Sequence, residues 1–396
     1  MPGSGRHDVV IAGGAVMGSA AAFWLSRLAP GPLRILVVEP DPAYTRASTA
    51  LSVASIRQQF STAVNVRMSQ FGFAFLKNLQ DYIGLEGDFD PIPVQENGYL
   101  FLAGHPEAED AMRQAAALQR AEGARTQLLD RDALATRFPW LSLEDVRLGS
   151  LGTEGEGWFD NMSLLGALRR AAIARGVEYV RDRVVGLEVQ GHAVTGVTLE
   201  SGARVAAGSV INAAGTRAAD LLRTVGEDLP VEPRKRTVFL IDAPKARHPD
   251  APLLVDHTGF YLRPEHDRWI TAIVPEDDGP ADPEDFEPDH HAFERDIWPR
   301  LYARAPEFDA VKVVGVWAGH YAFNTLDQNA ILGRHPRLAN LYLMNGFSGH
   351  GLQQAPAVGR GIAELILSGD YQTLDLSDLD VSRIHENRPF RERAVV

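Results

Sequence analysis

The sequence predicts an α/β protein in which one domain, built on a parallel sheet, is assembled from separated segments and a second, mixed-sheet domain is inserted between them. Three observations predict this. The first 40 of the 396 residues read as strand–turn–helix–strand, the middle is rich in strands, and the last quarter returns to the early pattern. A chain of this length is also too long for a single compact core.

The opening βαβ unit is the clearest element. Val9 to Ala12 is a short apolar run, Gly13 to Gly18 is a turn, and Ser19 to Leu28 has helical spacing of apolar residues. Pro30, Gly31 and Pro32 end that helix, and a second apolar run, Arg34 to Val38, closes at Glu39. A right-handed crossover would place both strands parallel in one sheet.

The middle of the chain is predicted from shorter signals. Helices are predicted over 64–79, 107–121 and 164–175, and strands over 99–102, 177–180, 184–189, 194–199, 204–205 and 209–212. The last of these strands stops at Ala213-Ala214-Gly215. Residues 226–318 are strand-rich, but the acidic, proline-rich stretch 275–289 interrupts them. We expect that stretch to be a solvated excursion rather than a site.

The end of the chain again shows the strand–turn–helix pattern of the first 40 residues. A strand over 341–343, a glycine-rich turn over 346–351 and a helix over 356–367 are predicted, with Pro356 in the first turn of that helix. The predicted domain built on the parallel sheet comprises 1–85, 150–225 and 320–375, and the inserted domain comprises 86–149 and 226–319. Residues 376–396 form a C-terminal tail.

Composition excludes several classes of protein. The chain is 45% hydrophobic and 23% charged, as globular proteins are, and the absence of cysteine excludes a disulfide scaffold, thiolate metal sites and cysteine nucleophiles. A net charge of −13 opposes a nucleic-acid partner. No run of apolar residues is long enough to span a membrane. The first strand begins too early to leave room for a targeting peptide, so a cytoplasmic location is predicted. Histidines and carboxylates lack metal-ligand spacing, so no metal is expected.

The turn after the first strand carries a nucleotide-binding pattern with one departure. Gly13, Ala15 and Gly18 occupy the three glycine positions of G-x-G-x-x-G, with Gly14 beside the second and Val16-Met17 before the third. Alanine is the smallest possible departure at the position where backbone approaches a pyrophosphate. Glu39 stands 21 residues after Gly18, where a carboxylate can accept from ribose hydroxyls. A dinucleotide is therefore predicted, and the pattern leaves open whether it is FAD or NAD.

Further segments carry a resemblance to a known family. RASTA (46–50), VINAAG (210–215) and GFSGHGLQQAPAVGRGIAELI (346–366) resemble the FAD-dependent family of D-amino acid oxidase, monomeric sarcosine oxidase and dimethylglycine dehydrogenase. NTLDQNAILGRHP, GFSGHGLQQAP and YQTLDLS most closely resemble its mitochondrial branch, the FAD-dependent oxidoreductase domain-containing proteins linked to respiratory complex I assembly. The resemblance implies a Rossmann-like FAD-binding domain of glutathione-reductase type with a mixed-sheet substrate domain covering the flavin.

The resemblance also implies the cofactor residues. The glycine-rich turn at 346–351 permits close approach of backbone to a planar ligand, and the following helix N-terminus would stabilise the anionic edge of a reduced flavin. His350 is expected to shape this turn rather than act as a base. FAD should be non-covalent, since the attachment residues of the family are missing. The predicted FAD-binding residues are Gly13, Gly14, Ala15, Val16, Met17, Gly18, Glu39, Arg46, Ser48, Thr49, Val184, Ala214, Gly215, Gly346, Ser348, Gly349, His350, Gly351, Leu352 and Gln353.

Four residues are predicted on the substrate side. Arg57 aligns with the carboxylate-binding arginine of sarcosine oxidase, and an arginine fork suits a carboxylate. Gln353 stands where that enzyme has a second cation, Tyr261 aligns near a substrate-pocket tyrosine, and His320 takes the place of its flavin-linked cysteine. Arg263 is a possible second charge beside Tyr261. No lysine lies within 265–273, where the family's oxygen-activating lysine is expected, and Arg268 is the only cation there.

Three functions stay open. The leading prediction is an FAD-dependent oxidoreductase that oxidises the C–N bond of a secondary or N-substituted amino acid, such as sarcosine or iminodiacetate, by hydride transfer to flavin N5. Electrons would pass to O2 or another carrier. The alternatives are an FAD-dependent 2-hydroxy acid dehydrogenase, which needs a base, and a non-catalytic FAD-binding assembly or interaction protein.

Overall fold

The computed structural model describes residues 6–87 and 89–394. Residues 1–5, Asp88 and residues 395–396, which fall in the predicted first domain, inserted domain and tail, lie outside the described residues. Two large sheets and one small sheet carry the architecture. None of the helices in the described ranges is both long and apolar enough to cross a membrane.

The first sheet contains the predicted βαβ unit at its centre. Strands β9, β2, β1, β12 and β19 run parallel, and the β10–β11 hairpin and β18 extend the sheet with antiparallel pairs. Its strands are β1 (His7–Ala12), β2 (Ile35–Glu39), β9 (Glu178–Arg181), β10 (Val184–Gln190), β11 (Ala193–Leu199), β12 (Arg204–Asn212), β18 (Ile331–Arg334) and β19 (Leu341–Asn345).

The second sheet is mainly antiparallel, with the order β17-β13-β16-β15-β14-β5-β7-β6. Only the β14–β5 pair within it is parallel. Its strands are β5 (Tyr99–Ala103), β6 (Thr126–Leu129), β7 (Leu148–Gly152), β13 (Val231–Asp242), β14 (Leu253–Val255), β15 (Phe260–Glu265), β16 (Arg268–Ile273) and β17 (Lys312–Asn324). A small sheet joins β3 (Ser55–Ile56), β8 (Gly157–Phe159) and β4 (Val94–Gln95).

The helices are α1 (Val16–Leu28), α2 (Ser48–Leu51), α3 (Ala63–Lys77), α4 (Leu79–Ile83), α5 (Pro106–Ala121), α6 (Arg131–Arg137), α7 (Asn161–Ala174), α8 (Ala218–Arg223), α9 (Trp298–Arg304), α10 (Gly351–Ser368) and α11 (Ser382–His385). Helices α1, α3, α7 and α10 pack on one face of the first sheet and α8 on the other, whereas α6 and α9 pack in the core of the second sheet. In β1, Val9 and Ile11 face the core formed with α1, α3, α7 and α10. Val10 and Ala12 face the core on the other side. This alternation explains why residues 9–12 of the strand are all apolar, because both faces are buried there.

Helices α1 and α10 pack unusually closely. A Cβ at Gly359 would lie 2.7 Å from backbone carbon of Ala20, so only glycine allows this approach. Both helices begin at the carboxyl edge of the parallel strands, and the close packing therefore brings their N-termini to one place.

The prediction for the start of α10 is wrong. The helix begins at Gly351, and Pro356 lies in its interior rather than in its first turn. The left-handed backbone at Ser348 (φ 50°) and Gly349 (φ 95°) turns the chain before the helix starts. Pro356 cannot donate the usual backbone hydrogen bond to the preceding turn, a cost that the buried packing of this helix offsets.

Candidate functional site

A large cavity lies where the parallel strands of the first sheet end. Its volume is about 890 Å³, within the range of roughly 300–1,000 Å³ typical of ligand sites. The segments after β1, β2 and β12 line it from one sheet, and Tyr261 and His320 line it from the other. The carboxyl ends of parallel strands are where α/β sheets bind ligands.

The β1–α1 turn is shaped by glycines whose added side chains would collide with backbone. Gly13 has φ 99°, and a Cβ there would lie 2.5 Å from the Ala213 carbonyl oxygen. A Cβ at Gly18 would lie 1.8 Å from the Gly13 carbonyl oxygen, so this glycine lets α1 pack on the turn. Ala15 lines the cavity, whereas a Cβ at Gly14 would point at Glu39 and Val37. Ala15, the residue at the second glycine position of the pattern, therefore faces the space where the ligand would bind.

Glu39 lines the cavity at the end of β2 and is 8% exposed. Its carboxylate accepts hydrogen bonds from the backbone N–H groups of Gly14 and Asp41, both at 2.8 Å. Burial raises the pKa of Glu39 despite these bonds. A carboxylate has about four acceptor positions, so capacity remains for ribose hydroxyls.

Most of the predicted cofactor residues line this cavity. Those that do are Gly13, Ala15, Val16, Met17, Glu39, Arg46, Ser48, Thr49, Val184, Ala214, Gly215, Gly349, His350, Gly351, Leu352 and Gln353. Gly14, Gly18, Gly346 and Ser348 lie behind its wall and shape it instead. Ser348, for example, accepts a hydrogen bond from the Asn324 N–H at 2.9 Å. The site therefore offers two glycine-rich turns, the N-terminus of α1 and a carboxylate at the end of β2, and this set of donors and acceptors fits FAD.

A second, smaller cavity of about 40 Å³ adjoins the first. Both are lined by Val53, Ser55, Tyr261, Tyr321, Gly349, His350 and Gln353, and the small one also by Arg57, Tyr99, Leu253 and Val255. Tyr99 and Tyr321 escaped the sequence prediction because an aromatic residue in a strand is usually core. Burial raises the pKa of Tyr99 to about 12, and the pKa values of Tyr261 and Tyr321 also rise through burial. All three phenols are therefore neutral.

Arg57 is a buried cation at the wall of the small cavity, with 3% of its surface exposed. Its guanidinium donates to the Gln59 carbonyl oxygen at 2.6 Å and to the Ala394 carbonyl oxygen, and lies 3.1 Å from His350 Nε2. The rings of Phe60 and Phe101 lie 4.4 and 5.4 Å from it. Within the described residues, no carboxylate forms an ion pair with Arg57.

Gln353 is oriented by two neighbours. Its Oε1 accepts from the Arg57 backbone N–H at 2.8 Å, and the Ser69 hydroxyl lies 2.7 Å from the same oxygen. The N–H bond fixes which end of the amide is oxygen. The Gln353 Nε2 is then the group left to donate toward the two cavities.

The two histidines at the large cavity are both neutral. Burial and the charge of Arg57 hold the pKa of His350 far below its usual value, and its Nε2 is the acceptor facing Arg57. His320 is 4% exposed, and burial and Lys235 lower its pKa. Across the part of the chain that the structure describes, neither ring nitrogen of His320 has a hydrogen-bond partner. Phe286 packs edge-on against this ring at 4.6 Å.

Glu156 is a buried acid close to Arg57 that the sequence prediction missed. It accepts from the Gln58 backbone N–H at 2.8 Å and from Gln59 Nε2 at 2.9 Å. Burial raises its pKa to about 7, while these bonds and the charge of Arg57 lower it. Glu156 forms no ion pair with the Arg57 guanidinium, and burial opposes its ionisation.

The expectation that stretch 275–289 is not part of a site is wrong, although every residue in it is at least partly exposed to solvent, as expected. Pro283, Glu284 and Phe286 line the large cavity. Ion pairs hold the stretch there: Arg236 donates two bonds to Asp278 (2.6 and 2.9 Å), Lys235 pairs with Asp285 at 2.6 Å, and Glu284 pairs with Arg46 and Arg217 at 3.2 and 2.5 Å. These acidic side chains pair with basic side chains of β13 and of the cavity wall. Because the bases lie far away in the sequence, local sequence does not predict this pairing.

Arg263 and Arg268 do not reach either cavity. Arg263 is buried but donates to Glu265 and to the Val53 carbonyl oxygen. Arg268 is exposed on β16. The suggestion that Arg263 supplies a second charge for a substrate is therefore wrong, because the Glu265 carboxylate already pairs with it.

Among residues 6–87 and 89–394 one histidine–carboxylate cluster does form, although spacing along the chain did not predict it. Glu227, His335 and His385 come together near the end of β18. However, His335 Nδ1 accepts from the backbone N–H groups of Arg337 and Leu338, so its Nε2 carries the proton, and Arg337 pairs with Glu227. This donor set does not fit a metal ion.

Comparisons with known proteins agree with this architecture. A family model described as "FAD dependent oxidoreductase" matches residues 8–365. The FAD-dependent oxidoreductase domain-containing protein 1 of Bos taurus is 39% identical over 99% of this chain and 87% of its own length.

Among solved structures, the L-proline dehydrogenase from P. horikoshii is similar, with a TM-score of 0.84 and 25% identity over 97% of this chain and 99% of that one. The glycine oxidase from Geobacillus kaustophilus shares the fold, with a TM-score of 0.79 and 23% identity over 96% and 99%. The mixed α/β fold and the FAD cofactor predicted from the sequence are confirmed. The chain belongs to the family of FAD-dependent oxidoreductases.

Proposed function

We propose that this member of the FAD-dependent oxidoreductase family oxidises the C–N bond of a secondary or N-substituted amino acid of the sarcosine or iminodiacetate type. The observation that carries the proposal is Arg57, a buried cation without a carboxylate partner among the described residues, at the wall of a small cavity that adjoins the large one. FAD, when bound, supplies the acceptor for the hydride that leaves the carbon next to nitrogen.

The charge of Arg57 favours an anionic substrate. An isolated charge in a protein interior is costly unless it is paired and hydrogen-bonded. The backbone carbonyls of Gln59 and Ala394 satisfy part of the guanidinium, but they bring no negative charge. A substrate carboxylate would supply that charge through charge-assisted hydrogen bonds, and Gln353 Nε2 would add a neutral donor.

The size and lining of the small cavity favour a short acid. A volume of about 40 Å³ holds roughly three water-sized groups at ~10–15 Å³ each, enough for a carboxylate and little more. The remaining substrate would extend into the large cavity past Tyr261 and Tyr321, which line both. Neutral aromatic walls exclude water and suit an uncharged amine, the form whose lone pair assists hydride loss.

A similar protein supports the choice of a secondary amine. One of the similar solved structures is named an L-proline dehydrogenase, and proline is a secondary amino acid. We infer that this chain also takes an amino acid whose nitrogen bears a carbon substituent. The product would be an imine, which water hydrolyses to an amine and a carbonyl compound. We further propose a cytoplasmic location and transfer of the electrons to O2 or another carrier.

A panel of reductants tests the proposal. Purified holoprotein under anaerobic conditions should lose its flavin absorbance when mixed with N-methylglycine, iminodiacetate or proline. It should keep that absorbance with N-methylglycinamide, which lacks the carboxylate that Arg57 would bind. Reduction by glycolate or lactate alone would favour the hydroxy acid alternative, and no reduction by any of them would favour a non-catalytic FAD-binding protein.

One observation keeps the hydroxy acid alternative open. Oxidation of an alcohol needs a base for the hydroxyl proton, and His320 is neutral, lines the large cavity and has two ring nitrogens without a partner in the described ranges. His320→Ala would abolish reduction by a hydroxy acid. Reduction by a neutral secondary amine needs no such base and would persist.

We expect the flavin to be bound without a covalent link. No cysteine exists in the chain, and no histidine lies within residues 48–53. The purified protein should be yellow, and acid precipitation should release the colour into the supernatant. Colour that stays with the pellet would contradict this and would point to His320. His320→Ala is the matched variant, because it would then release the flavin.

A further inference from the structure

The C-terminal residues 390–394 extend to the buried Arg57. The Ala394 carbonyl oxygen accepts a hydrogen bond from Arg57 Nη2, and the same nitrogen lies 3.1 Å from His350 Nε2. Arg57 Nη1 donates to the Gln59 carbonyl oxygen at 2.6 Å. The orientation of the guanidinium is therefore set by one acceptor from its own strand region, one from the α10 turn and one from the end of the chain.

Glu392 fixes the position of this segment. Its side chain is fully buried, and Oε1 accepts from the Ser61 N–H (2.8 Å), the Ser61 hydroxyl (2.6 Å) and the Ala394 N–H (2.9 Å). Oε2 accepts from the Thr62 hydroxyl and from Asn65 Nδ2, both at 2.9 Å. Burial alone would raise the pKa of Glu392, but the bonds from Ser61 and Asn65 lower it, so the carboxylate is ionised.

The segment is also anchored before Glu392. The Phe390 N–H donates to Asp327 Oδ2 at 2.9 Å, Asn329 Nδ2 donates to the Phe390 carbonyl oxygen at 2.8 Å, and the Glu392 N–H donates to the Asp327 carbonyl oxygen at 3.1 Å. Arg383 holds Asp327 in turn, at 2.8 Å. With both ends of the segment tied to buried groups, the Ala394 carbonyl oxygen has a defined position.

The carboxylate of Glu392 is connected to the substrate side of the cavities as well. Asn65, which donates to Glu392, accepts from Gln354 Nε2 at 3.0 Å. Gln354 follows Gln353, whose amide oxygen accepts from the Arg57 N–H. One buried hydrogen-bond network therefore joins the end of the chain, helix α3 and the start of α10 around Arg57.

We propose that Glu392 is a positioning residue for Arg57: by holding the Ala394 carbonyl oxygen on Arg57 Nη2, it orients the guanidinium to receive the substrate carboxylate. The inference rests on the proposed function, since it assumes that Arg57 binds that carboxylate. Glu392 itself forms no ion pair with Arg57 among the described residues, so it can orient the cation without neutralising it.

Glu392→Gln tests the inference while keeping the shape of the side chain. An amide has only one acceptor oxygen, and its NH2 would face groups that already donate. The probe is methoxyacetate, in which an ether oxygen replaces the nitrogen of N-methylglycine, and its binding is followed by the change in flavin absorbance. We expect the Kd of methoxyacetate to rise about tenfold, as for loss of a charge-assisted bond, with the flavin content unchanged.

Two further measurements separate positioning from general support. The neutral methoxyacetamide should bind equally to the wild type and the variant. With a substrate that the enzyme oxidises, the KM of the variant should rise by a larger factor than its kcat falls. Glu386→Gln is the matched control, because Glu386 lies in the same tail but is exposed and forms an ion pair with Arg388. The Kd of methoxyacetate for this variant should equal that of the wild type. Ser61→Ala removes one hydrogen-bond donor to Glu392 and should raise the Kd of methoxyacetate by an intermediate amount. This variant replaces Glu392→Gln if the latter does not fold.

The outcomes distinguish this inference from the proposed function. If Arg57→Ala weakens methoxyacetate binding but Glu392→Gln and Ser61→Ala do not, the inference is overturned and the proposed function stands. Equal weakening of methoxyacetate and methoxyacetamide binding by Glu392→Gln also overturns the inference, because Glu392 would then support the fold generally. Tighter binding would overturn it too and make Ala394 a competitor of the substrate. If Arg57→Ala itself has no effect, both the inference and the proposed function fail.

Discussion

Arg57→Ala should raise the Kd of methoxyacetate, and the KM of a carboxylate substrate, by roughly 10- to 150-fold. Hydrogen bonds to charged groups contribute ~1.5–3 kcal/mol, and ~1.4 kcal/mol corresponds to a factor of ten. The flavin should stay bound, because Arg57 lines only the small cavity. Titration of the holoprotein with methoxyacetate, followed by flavin absorbance, measures the change.

Two variants control this result. Arg57→Lys keeps the charge but loses the planar fork, so its Kd should lie between those of the wild type and the alanine variant. Arg268→Ala removes an exposed arginine from the second sheet and should change nothing. An Arg57→Ala protein that holds flavin and binds methoxyacetate as the wild type does would show that the carboxylate binds elsewhere, and the proposed substrate class would lose its main support.

The elements that the sequence predicted best are those whose signals are local. The β1–α1–β2 unit follows from apolar runs, a glycine turn and the proline and glycine residues that end the helix, and each of these acts within a few residues. The start of α10 could not be predicted in this way. Proline at a first helical position is a statistical preference, whereas the start at Gly351 depends on left-handed backbone at Ser348 and Gly349.

The surroundings of Arg57 show what local signals cannot supply. Arg57 itself was predicted from a resemblance, but its neighbours come from β5, the α10 turn and the end of the chain. Tyr99 and Glu392 carry no motif, and Glu392 matters only because the fold brings it into contact with Ser61 and Thr62, more than 300 positions away. A buried acid such as Glu392 reads in the sequence as an ordinary solvated charge.

The acidic stretch 275–289 is a second case in which local sequence did not reveal the contacts of charged residues. High local charge normally marks a solvated loop, which is why no site was expected there. Here Asp278, Glu284 and Asp285 each meet a base supplied by a distant segment, and Phe286 packs against His320. Local composition reports the charges but not their partners, so a covering segment and a free loop have the same sequence signature.

Ala15→Val should raise the Kd of FAD by roughly 5- to 150-fold, whereas Ala15→Gly should leave it unchanged or lower it. Ala15 lines the large cavity immediately before α1, at the position where a pyrophosphate would approach the helix N-terminus. Extra methyl groups in a filled site cost ~1–3 kcal/mol, which gives this range. Both constants are measured by reconstituting apoprotein with FAD and following the quenching of flavin fluorescence.

Ala29→Val is the matched control for this substitution. Ala29 follows the last residue of the same helix, has an extended backbone that accepts a β-branched side chain and does not line the cavity. Normal FAD binding by Ala15→Val would mean that the pyrophosphate does not lie over this turn, or that Gly14 is the residue of close approach. The second possibility conflicts with the geometry, because a Cβ on Gly14 would lie 2.9 Å from the Cβ of Glu39 rather than in the ligand space. The Ala15 pair of variants therefore tests directly whether an alanine can replace the second glycine of the dinucleotide pattern.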